Sequence, residues 1–147
     1  MANTHEDELA PIDYFAVEFP DGVVSGSGFE RLVDMVDQGI LRLLDLEFIE
    51  KGPDGTPRPL AVQDVATGEG VDLAVLVGAS SGLLDPDDIV ELTSDIAPGA
   101  VAAVVVYENL WVFTLIDGWR SAGARLIADG GLSAGDLIDA LDATEPD

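Results

Sequence analysis

Ala100-Val-Ala-Ala-Val-Val-Val-Tyr107 is the stretch whose reading decides the fold. From Val101 to Val106 no polar residue interrupts it, and an unbroken, valine-rich apolar run of that length reads as a strand buried on both faces. Such a strand lies inside a sheet and needs neighbours. Ile12 to Phe19 offers one, with Phe15, Val17 and Phe19 alternating with Tyr14, Ala16 and Glu18. Ile40 to Lys51 offers another, with Leu44, Leu46 and Phe48 expected on one face and Leu43, Asp45, Glu47 and Ile49 on the other. Gly52-Pro53-Asp54-Gly55 then turns the chain, and Arg58 to Val65 returns as a hairpin arm.

Helices fill the intervals. Ser27-Gly28-Phe29-Glu30 has the form in which Ser and Glu cap each other's free amides, and Phe29, Leu32, Val33 and Val36 follow in one apolar stripe, with Gly39 as a left-handed stop. Asp85-Pro86-Asp87-Asp88 opens a second helix carrying Ile89, Val90, Leu92 and Ile96, ended by Pro98-Gly99. A third runs from about Leu110 to Ala122 with Gly123 as its stop, and Ala124 to Asp129 is expected to form a short strand. A last helix starts from Ser133 as its cap.

Two strand-helix-strand units result, Ile12 to Lys51 and Ala100 to Asp129, separated by the hairpin arm and a helical insertion. The reading predicts one α+β, ferredoxin-like domain over residues 12–143 with a C-terminal helix, between a disordered segment 1–11 and a tail 144–147. In it the Ile12 and Ala100 strands lie side by side and parallel, helices cover one face, and the other stays open.

The chain has 147 residues, 48% of them hydrophobic, so it buries a core and is no disordered acidic tail. Asp and Glu number 29 against 6 Lys and Arg, a net charge of −23. Phosphate backbones and anionic lipid surfaces require clustered basic residues, so nucleic acid and membrane surfaces are not expected partners. The absence of cysteine removes disulfides, thiolate metal sites and thiol nucleophiles, and the single histidine, His5, lies near the N-terminus, away from the expected fold. No cofactor or metal is expected. The N-terminus has no basic region followed by an apolar run, and Val71 to Leu84 is too short to cross a bilayer, so the expected location is the cytoplasm.

Gly82-Leu-Leu-Asp-Pro-Asp-Asp-Ile-Val-Glu-Leu92, Ala97-Pro-Gly-Ala100 and Val106-Tyr-Glu-Asn-Leu-Trp111, with Ala16-Val-Glu-Phe-Pro20 and Arg42-Leu-Leu-Asp-Leu-Glu-Phe48, resemble a family of small bacterial proteins known only as a domain of unknown function. A related glycine-rich family is labelled membrane-associated, and Leu76 to Leu84 is its counterpart here. The resemblance implies a bacterial source and the ferredoxin-like fold, and brings no activity.

Glu18 and Glu108 are the leading site residues, each at the carboxyl end of a strand that the expected fold makes neighbours. Two carboxylates about 4 Å apart at an effective dielectric near 20 repel by roughly 4 kcal/mol, which calls for a shared proton, a bridging Arg42, Arg120 or Arg125, or a bound cation, unless the two diverge into solvent at the strand ends, the commoner arrangement. Trp111, Phe113 and Trp119 line a ligand pocket beside them or fill the core. Asp85, Asp87 and Asp88 lack the alternate spacing, central Gly and closing Glu of a calcium loop and read as a helix cap. Ser25-Gly-Ser-Gly28 lacks the third glycine and the lysine of a nucleotide loop. Gly78-Ala-Ser-Ser-Gly82 permits close packing, within the domain in preference to against a second subunit.

Poverty in catalytic side chains and an open sheet face favour an interaction module that self-associates or binds another protein, with Tyr14, Leu43 and Ile49 at the contact. A ligand or cation binder using Glu18, Glu108 and Trp111 is the second expectation, and acidity as salt adaptation alone the third.

Overall fold

The computed structural model describes residues 9–129, and its elements run β1 (Ile12–Phe19), α1 (Gly28–Asp37), β2 (Arg42–Lys51), β3 (Pro57–Leu60), α2 (Pro86–Leu92), β4 (Val101–Glu108) and α3 (Trp111–Arg120). Short 3-10 turns lie at Val62–Asp64 and Ala74–Ala79. The strands form one sheet in the order β1-β4-β2-β3, and every neighbouring pair is antiparallel. The helix expected from Ser133, the first eight residues and the tail lie outside the described residues.

The valine run is central, as its composition demands. All residues from Val101 to Val106 are buried, and β4 lies between β1 and β2. Its direction corrects the sequence reading: β1 and β4 are adjacent but antiparallel, with Ile12 opposite Glu108 and Glu18 opposite Ala102. The reason lies in where the chain arrives. After β3 it packs back along the sheet and reaches the carboxyl end of β2, where Gly99 N–H donates to Lys51 C=O at 2.7 Å and Lys51 N–H to Ala100 C=O at 3.0 Å. From that corner β4 can only run back beside β2. The glycine there is required, since Gly99 has φ of +85°.

Both faces of the sheet carry cover, a second correction. On one, α1 and the 3-10 turns pack Val24, Leu32, Val62, Val65, Leu73 and Leu76 over Leu46, Phe48, Val101, Ala103 and Val105. On the other, Ile89 of α2 packs with Ile49, Ala102 and Val104, joined by Leu84, Val90, Leu92 and Ile96. The apolar residues foreseen for α2 thus find the face foreseen as open. The short strand expected at Ala124 to Asp129 does not form, and that stretch is irregular.

A bulge displaces Leu43 from the alternation foreseen for β2, while Leu46 and Phe48 share one face and Ile49 lies on the other as expected. Leu43 lies opposite Tyr107 and Asp45 opposite Val106, so Leu44 has no counterpart. Leu43 therefore joins Phe48 in the α1 cluster, on the face where an uninterrupted strand would have carried Leu44. Helix starts follow their local chemistry in one case and not in another. Asp85 caps α2, its Oδ1 accepting from Asp88 N–H at 2.8 Å with Pro86 in the first turn. Ser27 occupies the cap position of α1 but its side chain makes no capping hydrogen bond, so the expected Ser–Glu box is not formed.

Candidate functional site

The two leading carboxylates do not meet. In the β1–β4 register Glu18 is level with Ala102 and Glu108 with Ile12, six residues along β4, which at about 3.3 Å per residue separates their backbones by roughly 20 Å. The pairing expected for them required parallel strands. Each instead holds structure at its own end of the sheet. Glu108 is 1% exposed, its Oε2 accepts from Ala10 N–H at 2.7 Å, and its Oε1 lies 3.3 Å from Arg42 Nε without an aligned hydrogen bond. Its carboxylate anchors the chain as it enters β1, the ladder having placed Arg42 directly opposite. Glu18 is exposed and accepts from Ala97 N–H at 2.9 Å, tying the far end of β1 to the turn after α2.

A carboxylate pair that the sequence reading did not single out lies on β2. Asp45 shares the face of Ile49 by the alternation of the strand, is fully buried there, and accepts from Ser81 N–H at 2.9 Å and Leu84 N–H at 3.0 Å. Glu47 accepts from Ser80 Oγ, and Ser81 Oγ donates to Leu44 C=O, both at 2.7 Å. Burial pushes Asp45 up, but hydrogen bonds from Glu47, Leu84 and Ser81 outweigh it and leave its carboxyl below the usual range. Glu47 is raised, first by burial and then by its hydrogen bond to Asp45 and the charge there. The pair holds Ser80-Ser81-Gly82 against the strand, which is what the small residues of that loop permit. The available signal was Asp45 and Glu47 between the apolar residues of the strand, followed later by adjacent serines.

The aromatics divide. Phe113 is buried, whereas Trp111 is 49% and Trp119 59% exposed. Trp111 donates its indole N–H to Asn109 Oδ1 at 3.1 Å, and Asn109 Nδ2 donates to Pro11 C=O and to Asp13. Trp111 also borders a groove between β1 and α1. One depression there, of about 300 Å³, is lined by Phe15, Val17, Phe19, Phe29 and Leu32. A second of about 400 Å³ shares Phe15, Gly28 and Leu32 with it and adds Met35, Tyr107 and Trp111. Of the contact residues expected from sequence, Ile49 is buried with α2, Leu43 packs against the α1 core, and Tyr14 is 59% exposed. No group of three or more His, Cys, Asp or Glu able to hold a metal ion occurs among the described residues.

Part of what remains exposed and apolar lies on β1, alongside other exposed apolar residues on α3 and the loops. Ile12, Tyr14, Phe15 and Val17 are all at least 40% exposed, on a strand that, among the described residues, is paired along one edge only. The inner edge is fixed by Pro11 C=O, which accepts from Asn109 N–H at 2.8 Å. By the antiparallel alternation the odd-numbered residues of β1 direct their backbone groups toward β4, and Ile12, Tyr14, Ala16 and Glu18 direct theirs outward.

Fold and surface together define a mixed α+β domain on an open antiparallel sheet with an exposed apolar edge strand. The chain belongs to the family described as "Family of unknown function (DUF6325)", whose profile matches residues 8–144. Comparison with curated proteins and with solved structures found no match. No helix among the described residues is long and apolar enough to cross a membrane.

Proposed function

We propose that this chain is a non-enzymatic interaction module whose working surface is the outer edge of β1, which accepts an extended strand. The observation that carries the reading is the condition of that edge. Natural edge strands are blunted by shortness, proline, lysine or bulges, because unpaired N–H and C=O groups template further pairing. β1 runs for eight residues without proline, lysine or a bulge, its charges are confined to Asp13 and Glu18 near its ends, and it exposes apolar side chains on both of its faces. An added strand gains backbone hydrogen bonds along the edge, and its alternate side chains reach the groove beside Phe15 and Val17. In this reading β1, α1 and β2, with β4 inserted between the two strands, form the split half of a ferredoxin-like arrangement.

Ala16→Pro tests the edge. Its N–H points outward, so proline removes an outer donor and leaves the inner ladder intact. Extended peptides displayed on phage are selected on the immobilised wild-type chain and counter-selected on the variant, with circular dichroism confirming that both are folded. Peptides retained by the wild type and lost by Ala16→Pro are the expected result. If neither peptide binding nor self-association responds to Ala16→Pro, the reading is overturned.

A further inference from the structure

We propose that the strand β1 accepts is β1 of a second copy of this chain, paired antiparallel about a two-fold axis that passes beside Phe15. The proposal rests on reading β1 as a strand-accepting edge. A two-fold axis perpendicular to the sheet keeps each face on its own side, so residues opposed across it are both even-numbered or both odd-numbered. The outward groups belong to even-numbered residues, so even must meet even at the hydrogen-bonded positions.

One register satisfies all of them. With Phe15 opposite its own copy, Ile12 meets Glu18 and Tyr14 meets Ala16 of the second copy, and every outward N–H and C=O from Ile12 to Glu18 has a counterpart. Centring on Ala16 instead puts Ile12 opposite Pro20, which has no N–H to give. Centring on Tyr14 puts Glu18 opposite Ala10, whose N–H is already committed to Glu108. Charge agrees with the chosen register. Asp13 lies opposite Val17 and Glu18 opposite Ile12, so the carboxylates of the two strands never face each other directly.

The same register has a packing consequence. Phe15 falls at a non-hydrogen-bonded position, where opposed Cα atoms approach to about 4.5 Å, and the two rings cover each other on the α1 side. The grooves lined by Phe15, Val17, Phe29 and Leu32 then adjoin across the axis. Tyr14, 59% exposed in one chain, lies over Ala16 of the second copy on the opposite face.

The chain has no cysteine, so an introduced thiol reports its neighbour without background. A Cα separation of about 4.5 Å lies within disulfide range, and mild oxidation of Phe15→Cys is expected to give a linked dimer, whereas Tyr14→Cys, opposite Ala16, is not. Should Phe15→Cys weaken the contact itself, a mixture of Asp13→Cys and Val17→Cys chains is expected to cross-link as a heterodimer, each failing to link alone. Sedimentation equilibrium of the unmodified chain is expected to give the dimer mass, and Ala16→Pro to raise the dissociation constant by about tenfold or more. A dimer that links through Tyr14→Cys and not through Phe15→Cys or the mixed pair overturns the register. A monomer whose peptide binding is still lost in Ala16→Pro overturns self-pairing and leaves the edge reading standing. A monomer without Ala16-sensitive peptide binding removes both.

Discussion

Asp45 and Glu47 sit two residues apart on one strand and titrate in opposite senses. Glu47 binds its proton more tightly folded than unfolded, so its contribution to stability is present at low pH and lost as pH rises through its raised value. Asp45 is lowered, so its contribution is present above the ordinary aspartate range and lost as pH falls through its folded value. Above the raised Glu47 value two charges therefore share one partly buried corner. Glu47→Gln supplies an amide donor to Asp45 at every pH, and thermal melts are expected to place its midpoint above the wild type at pH 7, with the gap closing as pH falls through the raised Glu47 value. Asp45→Asn removes charge from an acceptor of two backbone N–H groups, and a loss of about 1–3 kcal/mol in urea unfolding is expected. Glu108→Ala strands the Ala10 N–H and unpairs Arg42, which is 61% exposed and regains water. The expected loss is about 2 kcal/mol, below that of a fully buried pair. None of these roles was legible residue by residue. Glu108 was singled out for a neighbour it does not have, because the sequence shows where a carboxylate falls on a strand but not which way the adjacent strand runs.

The elements themselves were more legible than their ends. The apolar run of β4, the alternation of β1, the Asp85-Pro86 start of α2 and the glycine stops at Gly39 and Gly123 are local, and each is present, both glycines having positive φ. The bulge in β2 was not foreseen, nor were the bonds that Asp45 accepts from Ser81 and Leu84, residues distant in sequence. Lys51, the chain's single lysine, shows the same dependence on distant partners. Its Nζ donates to Ser94 C=O at 2.7 Å and Ile96 C=O at 2.9 Å, closing the turn after α2 onto the end of β2. Lys51→Met keeps the stem and removes the donors. It is expected to cost about 1–2 kcal/mol in urea unfolding and to speed amide exchange at Ile96 and Ala97.

For the whole molecule, a charge of −23 on 147 residues opposes compaction and association alike. The unfolding midpoint is expected to rise from about 0.05 to about 1 M sodium chloride as screening shortens the range of repulsion, and dimer affinity to rise with it. A midpoint flat across that range would show that the charges are spaced widely enough not to matter. The family brings no chemistry, so the proposed function rests on the edge of β1, where Ile12, Tyr14, Phe15 and Val17 are exposed.

By itself the sequence determined most of the strands and helices, though not the end of β3 or the irregular stretch after α3, that the valine run is central, that Ile12 to Phe19 neighbours it, and that thiol and clustered-histidine chemistry are absent. Those properties depend on side-chain type and short-range periodicity, which any window of the chain displays. Only the tertiary structure decided strand direction, the cover on both faces, the separation of Glu18 from Glu108 and the exposure of the β1 edge. Each depends on the path between Leu60 and Val101, where the chain crosses the sheet and chooses the corner from which β4 must return.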